Sequence, residues 1–305
     1  MDKQETVTRS TNEKDKPQNA NVEAVPKNMA VISLLAHCFL FVATSILVFT
    51  IGGYNYFIPD EMRLLLRGLI AASFLIVTVG MYRHDKLHKY RRVSLAFFAV
   101  ATGIFLASIF GGWWLLIPGL IKDSVEGWAL AKVAEAVPII AAILLLVKLD
   151  GGEAHALLLV GGNKKRSLVL GLLVAPLELI QFATMTGFTL NVGAEAIGAW
   201  LPWMMVFAVS NSLMEELMFR GLFLQRYAEL LRPKTSLLLT SVIFAIFHAV
   251  LLPFMGLALV MAFIVFTFIL GWIWGSIMQK TGSIWGAVLA HAVGDVLFVL
   301  AAFGV

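Results

Sequence analysis

The last third of this 305-residue chain carries ionisable side chains at spacings that suit proton chemistry. SNSLMEELMFRGLF holds Glu215, Glu216 and Arg220; SVIFAIFHAV holds His248; WGAVLAHAVGDVLF holds His291 and Asp295. One carboxylate and two imidazoles in a partly dry pocket suit the activation of water. The carboxylate takes the proton as general base and a histidine beside it shares or relays it. A second polar cluster across the pocket stabilises a developing oxyanion.

Helical geometry sorts these groups. Neighbouring residues differ by about 100° around an α-helix, so Glu215 and Glu216 are expected to face different targets. Glu216 and Arg220 are four apart and form a favourable ion pair, which reads first as structural. Glu215 is left to face elsewhere, with Asn211 one turn before it. His291 and Asp295 are also four apart and share a face. Counting from the cytoplasmic end of each segment puts Glu215 at about 13 Å, His248 at about 18 Å and His291 at about 12 Å. Similar depths allow convergence on one cavity.

The elements that carry these groups are set by composition. Apolar types make up 60% of the chain and charged residues only 14%. The mean hydropathy is +0.88. An ordinary soluble domain has about 25% charged residues, so a soluble or wholly disordered protein is excluded. Long continuous apolar runs argue for helices over a transmembrane barrel. We expect an all-α polytopic membrane protein, a bundle of about eight to nine transmembrane helices. Segments 29–51, 63–82, 93–110, 128–149, 167–187, 199–223, 236–252, 254–278 and 283–303 are each long enough. Pro253 is expected to separate the seventh from the eighth. Residues 1–28 carry few large apolar side chains and read as a disordered polar tail. The transmembrane domain then covers 29–305. The tryptophan-bearing stretch 111–128 reads as interfacial.

Charge asymmetry suggests orientation. With a cytoplasmic N-terminus, the tail, the basic loop 83–92, Lys148, Lys164, Lys165, Arg166, Arg226, Arg232, Lys234 and Lys280 share one side. Arg63, Arg67, Lys122 and Lys132 fall on or near the other. The net charge of +4 reports lipid-facing loops and implies no nucleic-acid partner. A single cysteine, Cys38, excludes an internal disulfide.

Other polar residues have plainer readings. Glu178 and Gln181 sit deep in the fifth segment, as a local polar pair or a cavity lining. Lys132 and Glu135 read as an i,i+3 pair near a helix start. His84 and His88 lie in a solvated basic loop, His37 and Cys38 read as packed, and Gly271 with Gly275 suggests a close helix contact.

Together the three motifs resemble the CAAX protease and bacteriocin-processing family of intramembrane glutamic endopeptidases, which includes the type II CAAX prenyl endopeptidases. EExxxR is matched by Glu215, Glu216 and Arg220; FxxxH by Phe244 and His248; HxxxN or HxxxD by His291 and Asp295. The resemblance covers roughly residues 201–300, within a catalytic core at 199–303. It implies a metal-independent protease without cofactors, resident in a bacterial plasma membrane. The substrate would be a membrane-associated peptide, prenylated in one branch of the family. By carry-over, Glu215 with His248 activates water, while His291 and Asp295 support the oxyanion. Glu216 and Arg220 shape the site. Asp295 departs from the Asn of the prenyl branch: an amide donates a hydrogen bond unaided, a carboxylate only when protonated. Asp295 would then orient His291 by accepting its ring proton, or mark a different substrate branch of the family. Competing readings by residue type are a zinc site at Glu215, His248 and His291, a catalytically silent scaffold, and a proton-relaying transporter.

Overall fold

The computed structural model describes residues 31–53, 58–151, 157–187, 189–249 and 257–304. The stretch 1–28 and the break expected at Pro253 lie outside the described residues. Among those described, the secondary structure is helical, without strands. Nine helices follow in order: α1 Val31–Ile51, α2 Asp60–Arg83, α3 Arg91–Phe110, α4 Val125–Leu149 and α5 Lys164–Thr186 precede the motif-bearing ones. These are α6 Ala194–Ala228, α7 Pro233–Ala249, α8 Leu257–Thr281 and α9 Trp285–Gly304. They correspond one for one to the expected segments. Eight are long and apolar enough to cross a membrane. The exception is α7, whose 17 described residues span about 26 Å.

The outward faces carry large exposed apolar side chains, among them Ile32, Leu65, Ile76, Leu145, Leu173 and Val265. Such a surface is at home only against lipid, and helices satisfy their own backbone groups there. The chain is a multi-pass integral membrane protein.

Local chemistry starts and stops the helices. Ser124 caps α4, its side chain accepting from Gly127 N at 3.1 Å. Asn163 caps α5 by accepting from Arg166 N at 2.9 Å. Gly187 ends α5 in the left-handed conformation, φ 59°. Arg67 of α2 donates to the carbonyls of Gly52 and Gly53 past the end of α1, both at 2.7 Å. Within α5 the turn Ala175–Leu177 tightens to a 3₁₀ geometry around Pro176, whose ring cannot sit in an undisturbed helix.

Apolar burial does not hold helices together in lipid; close packing and internal hydrogen bonds do. An aromatic cluster knits α1, α6 and α7: Phe49 lies 5.1 Å from Phe219 and 5.7 Å from Phe247, centroid to centroid. Phe97 of α3 joins it at 4.8 Å from Phe223. A close crossing joins α5 and α9. Ser167 donates to the Ser283 carbonyl at 3.0 Å and accepts from Gly286 N at 2.9 Å. A Cβ on Gly286 would stand 2.0 Å from the Ser167 carbonyl oxygen. Gly286→Ala must therefore part the two backbones, at a cost of about 1–3 kcal/mol. A lowered thermal unfolding midpoint of the purified protein in detergent checks this. The expected close contact at Gly271 and Gly275 is also present: a Cβ on Gly275 would meet Leu237 Cδ1 of α7 at 2.4 Å.

Candidate active site

The crossing at Gly286 fixes α9, and α9 presents His291 and Asp295 toward α6. There the regular α-helix Ala194–Glu216 gives way to π-helical turns over Leu217–Phe223. Such widened turns recur at functional sites. Glu215 and Glu216 stand at this junction, both buried.

Glu215 Oε2 lies 3.5 Å from His248 Nε2 and 3.8 Å from His291 Nε2. The carboxylate and both imidazoles thus come together from α6, α7 and α9. Neither contact closes to a hydrogen bond, and Oε2 has no hydrogen-bond partner within the described chain. His248 Nδ1 donates to the Phe244 carbonyl at 2.8 Å. In the neutral ring this leaves Nε2 as an acceptor turned to Glu215. Two acceptors 3.5 Å apart are placed to share the hydrogens of one water.

The expectation that Glu215 and Glu216 face different targets is corrected. Glu216 Oε1 takes the hydrogen bond from His291 Nδ1 at 3.0 Å, while Glu215 approaches the opposite nitrogen of the same ring. An imidazole is wide enough to be gripped at both edges, so 100° of helical rotation does not separate the two carboxylates. Glu216 also accepts from Arg220 at 2.8 Å, the ion pair read from the spacing. The Arg220 guanidinium lies over the Phe244 ring, 4.0 Å from its centroid. Gly271 makes room for it, since a Cβ there would stand 3.1 Å from Arg220 Nη2. Phe244 is thus packing material for both histidines and for Arg220. Trp274 of α8 stacks on His291 at 4.5 Å and 20°.

Asp295 makes no hydrogen bond to His291. Its Oδ2 is 3.7 Å from His291 Nε2, too far for a hydrogen bond. Asp295 instead accepts from Asn211 Nδ2, at 3.2 Å to Oδ1 and 3.1 Å to Oδ2. Asn211 lies four residues before Glu215, which places it one turn away on the same face. That spacing was the available signal for its place in the site.

A cavity of about 380 Å³ is bounded by Asn211, Glu215, His248, His291 and Asp295 together with Lys132, Glu178, Gln181 and Trp128. Two of these have neighbours beyond the sequence reading. Lys132 makes its pair with Glu135 at 2.7 Å and also borders the cavity of Glu215. Trp128 packs against Phe303 at 4.8 Å in the cavity wall. Among the described residues no group of three or more His, Cys, Asp and Glu side chains is arranged to hold a metal ion. His84 and His88 are exposed, flanking or within the short turn Asp85–Tyr90, and do not line this cavity.

Residues 197–297 match the family described as type II CAAX prenyl endopeptidase Rce1-like. The matched stretch contains all three motifs and nearly coincides with the resemblance drawn from them. No curated protein and no solved structure matches the chain. At the level of the family, the match supports an intramembrane endopeptidase of the CAAX-protease kind.

Proposed function

We propose, on the premise of the type II CAAX endopeptidase pattern at residues 197–297, that this protein cuts a membrane-associated peptide with water activated by Glu215 and His248. The observation that carries the reading is one buried carboxylate oxygen 3.5 Å and 3.8 Å from two imidazole nitrogens. A water held by Glu215 Oε2 and His248 Nε2 loses a proton to that pair as its oxygen attacks the scissile carbonyl. The carbonyl becomes a tetrahedral oxyanion. Collapse then breaks the C–N bond, and the proton held by Glu215 and His248 passes to the leaving nitrogen.

The oxyanion needs donors already in place. His291 gives Nδ1–H to Glu216; in the form that carries a proton on both nitrogens it also offers Nε2–H to the cavity. Asp295, as a carboxylate, accepts and does not donate. Asn211 supplies the amide instead: one N–H engages Asp295 and the other is left for the oxyanion. Asp295 is thereby a positioning residue for Asn211, and Glu216 is one for His291. Arg220 balances the charge of Glu216.

No step in this scheme draws on a metal or cofactor. Purified protein should cleave a membrane-anchored peptide at an unchanged rate after treatment with a strong chelator. Activity lost on chelation and restored by zinc would contradict the reading.

A further inference from the structure

We propose that Glu178 is a substrate-binding residue of the same cavity, taking an N–H donor of the peptide beside the bond to be cut. The inference rests on the proposed function and deepens it. Glu178 opens the second half of α5, directly after the 3₁₀ turn at Pro176. It is 1% exposed and borders the cavity with Glu215, His291 and Asp295. Its Oε1 has no hydrogen-bond partner in the described chain. A buried acceptor without a partner is costly, and a ligand that supplies the missing donor gives a reason to keep one.

The neighbouring groups explain why nothing in the fold fills that role. The cavity ammonium, Lys132, is bonded to Glu135. One N–H of the Asn211 amide is engaged by Asp295, and the other is the one assigned to the oxyanion. The proton on His291 Nδ1 goes to Glu216. Room for the Glu178 carboxylate comes from α9: a Cβ on Gly294, the residue before Asp295, would stand 2.6 Å from Glu178 Oε2. A glycine there lets the carboxylate lie against the helix that carries His291. Gln181, three residues on, borders the same cavity. This wall is rich in acceptors, and its complement is a peptide N–H or the cationic nitrogen of a basic side chain.

The test measures binding to full-length protein in detergent, in a Glu215→Gln background so that bound peptide is not consumed. The probes are two fluorescent farnesylated peptides that differ only in Lys or Leu beside the bond to be cut. Adding Glu178→Leu is expected to weaken binding by about tenfold, with an unchanged thermal midpoint. Gly294→Ala, which pushes the carboxylate aside, is expected to do the same and stands in if Glu178→Leu does not fold. Adding Glu178→Gln separates the two sources. Binding of both peptides retained with Gln identifies a peptide N–H, and loss confined to the Lys peptide identifies a cationic side chain. Unchanged binding of both peptides in Glu178→Leu and Gly294→Ala would overturn the role of Glu178 alone. Failure of both peptides to bind when Glu178 is intact would overturn the peptide-site reading beneath it.

Discussion

Replacing Glu215 by Gln is expected to lower the turnover of a membrane peptide by about 10³-fold or more, the range in which a positioned general base contributes. Gln keeps the volume and one acceptor oxygen but has no lone pair basic enough to take the proton of water. Gln preserves the shape of the side chain, and Glu215 Oε2 has no hydrogen-bond partner to lose among the described residues, so the thermal midpoint should stay near that of the unaltered protein and KM should change little. His248→Ala should cost a similar factor. Groups that act as one unit lose their effects non-additively. The double variant Glu215→Gln with His248→Ala should therefore be scarcely worse than either single one. Full multiplication of the two losses would mean separate roles, and a single variant with unaltered turnover would remove the residue from the chemistry.

The largest effect on stability should come from Arg220→Met. Arg220 and Glu216 are bonded at 2.8 Å with side-chain exposures of 2% and 0%. Removing the guanidinium leaves Glu216 buried without a counter-charge, at a cost of about 3–5 kcal/mol. It also strips the cover from the Phe244 ring. A sharp fall in thermal midpoint is expected. Adding Glu216→Gln removes the orphaned charge and should recover much of the loss. Gln can still accept from His291 Nδ1, so the double variant should keep part of the cleavage activity. Loss of activity in step with stability, with no recovery in the double variant, would argue against the charge-balance role.

Much of this was legible from the residues themselves. Apolar run lengths marked the eight helices that are long enough to cross a membrane among the described residues, because lipid permits few departures from about 20 apolar residues per crossing. The i,i+4 spacing of Glu216 and Arg220 gave their pair, since helical neighbours meet without help from the rest of the fold. Depth along each helix brought Glu215, His248 and His291 to one level. What escaped depends on rotation and crossing, which one helix at a time does not reveal. The hold of Glu216 on His291 needs α9 at the right height, and that height is set by the contact of Ser167 with Gly286. Asp295 has His291 one turn away in its own helix, yet its hydrogen bond goes to Asn211 on another. Trp128 sits close to the headgroup level by count and also packs onto Phe207, Phe298 and Phe303. Lys132 looked like half of a local pair because its second neighbour, the cavity, is built from other helices.

The central claim is that the carboxylate at Glu215 drives hydrolysis of a peptide in the bilayer. Its most direct test compares the termini of membrane peptides in cells carrying the unaltered protein with those in cells carrying Glu215→Gln at equal abundance. We expect a set of new termini, at matching cut sites, only where Glu215 is intact. Identical termini in both cell populations, with both proteins folded in the membrane, would contradict the account.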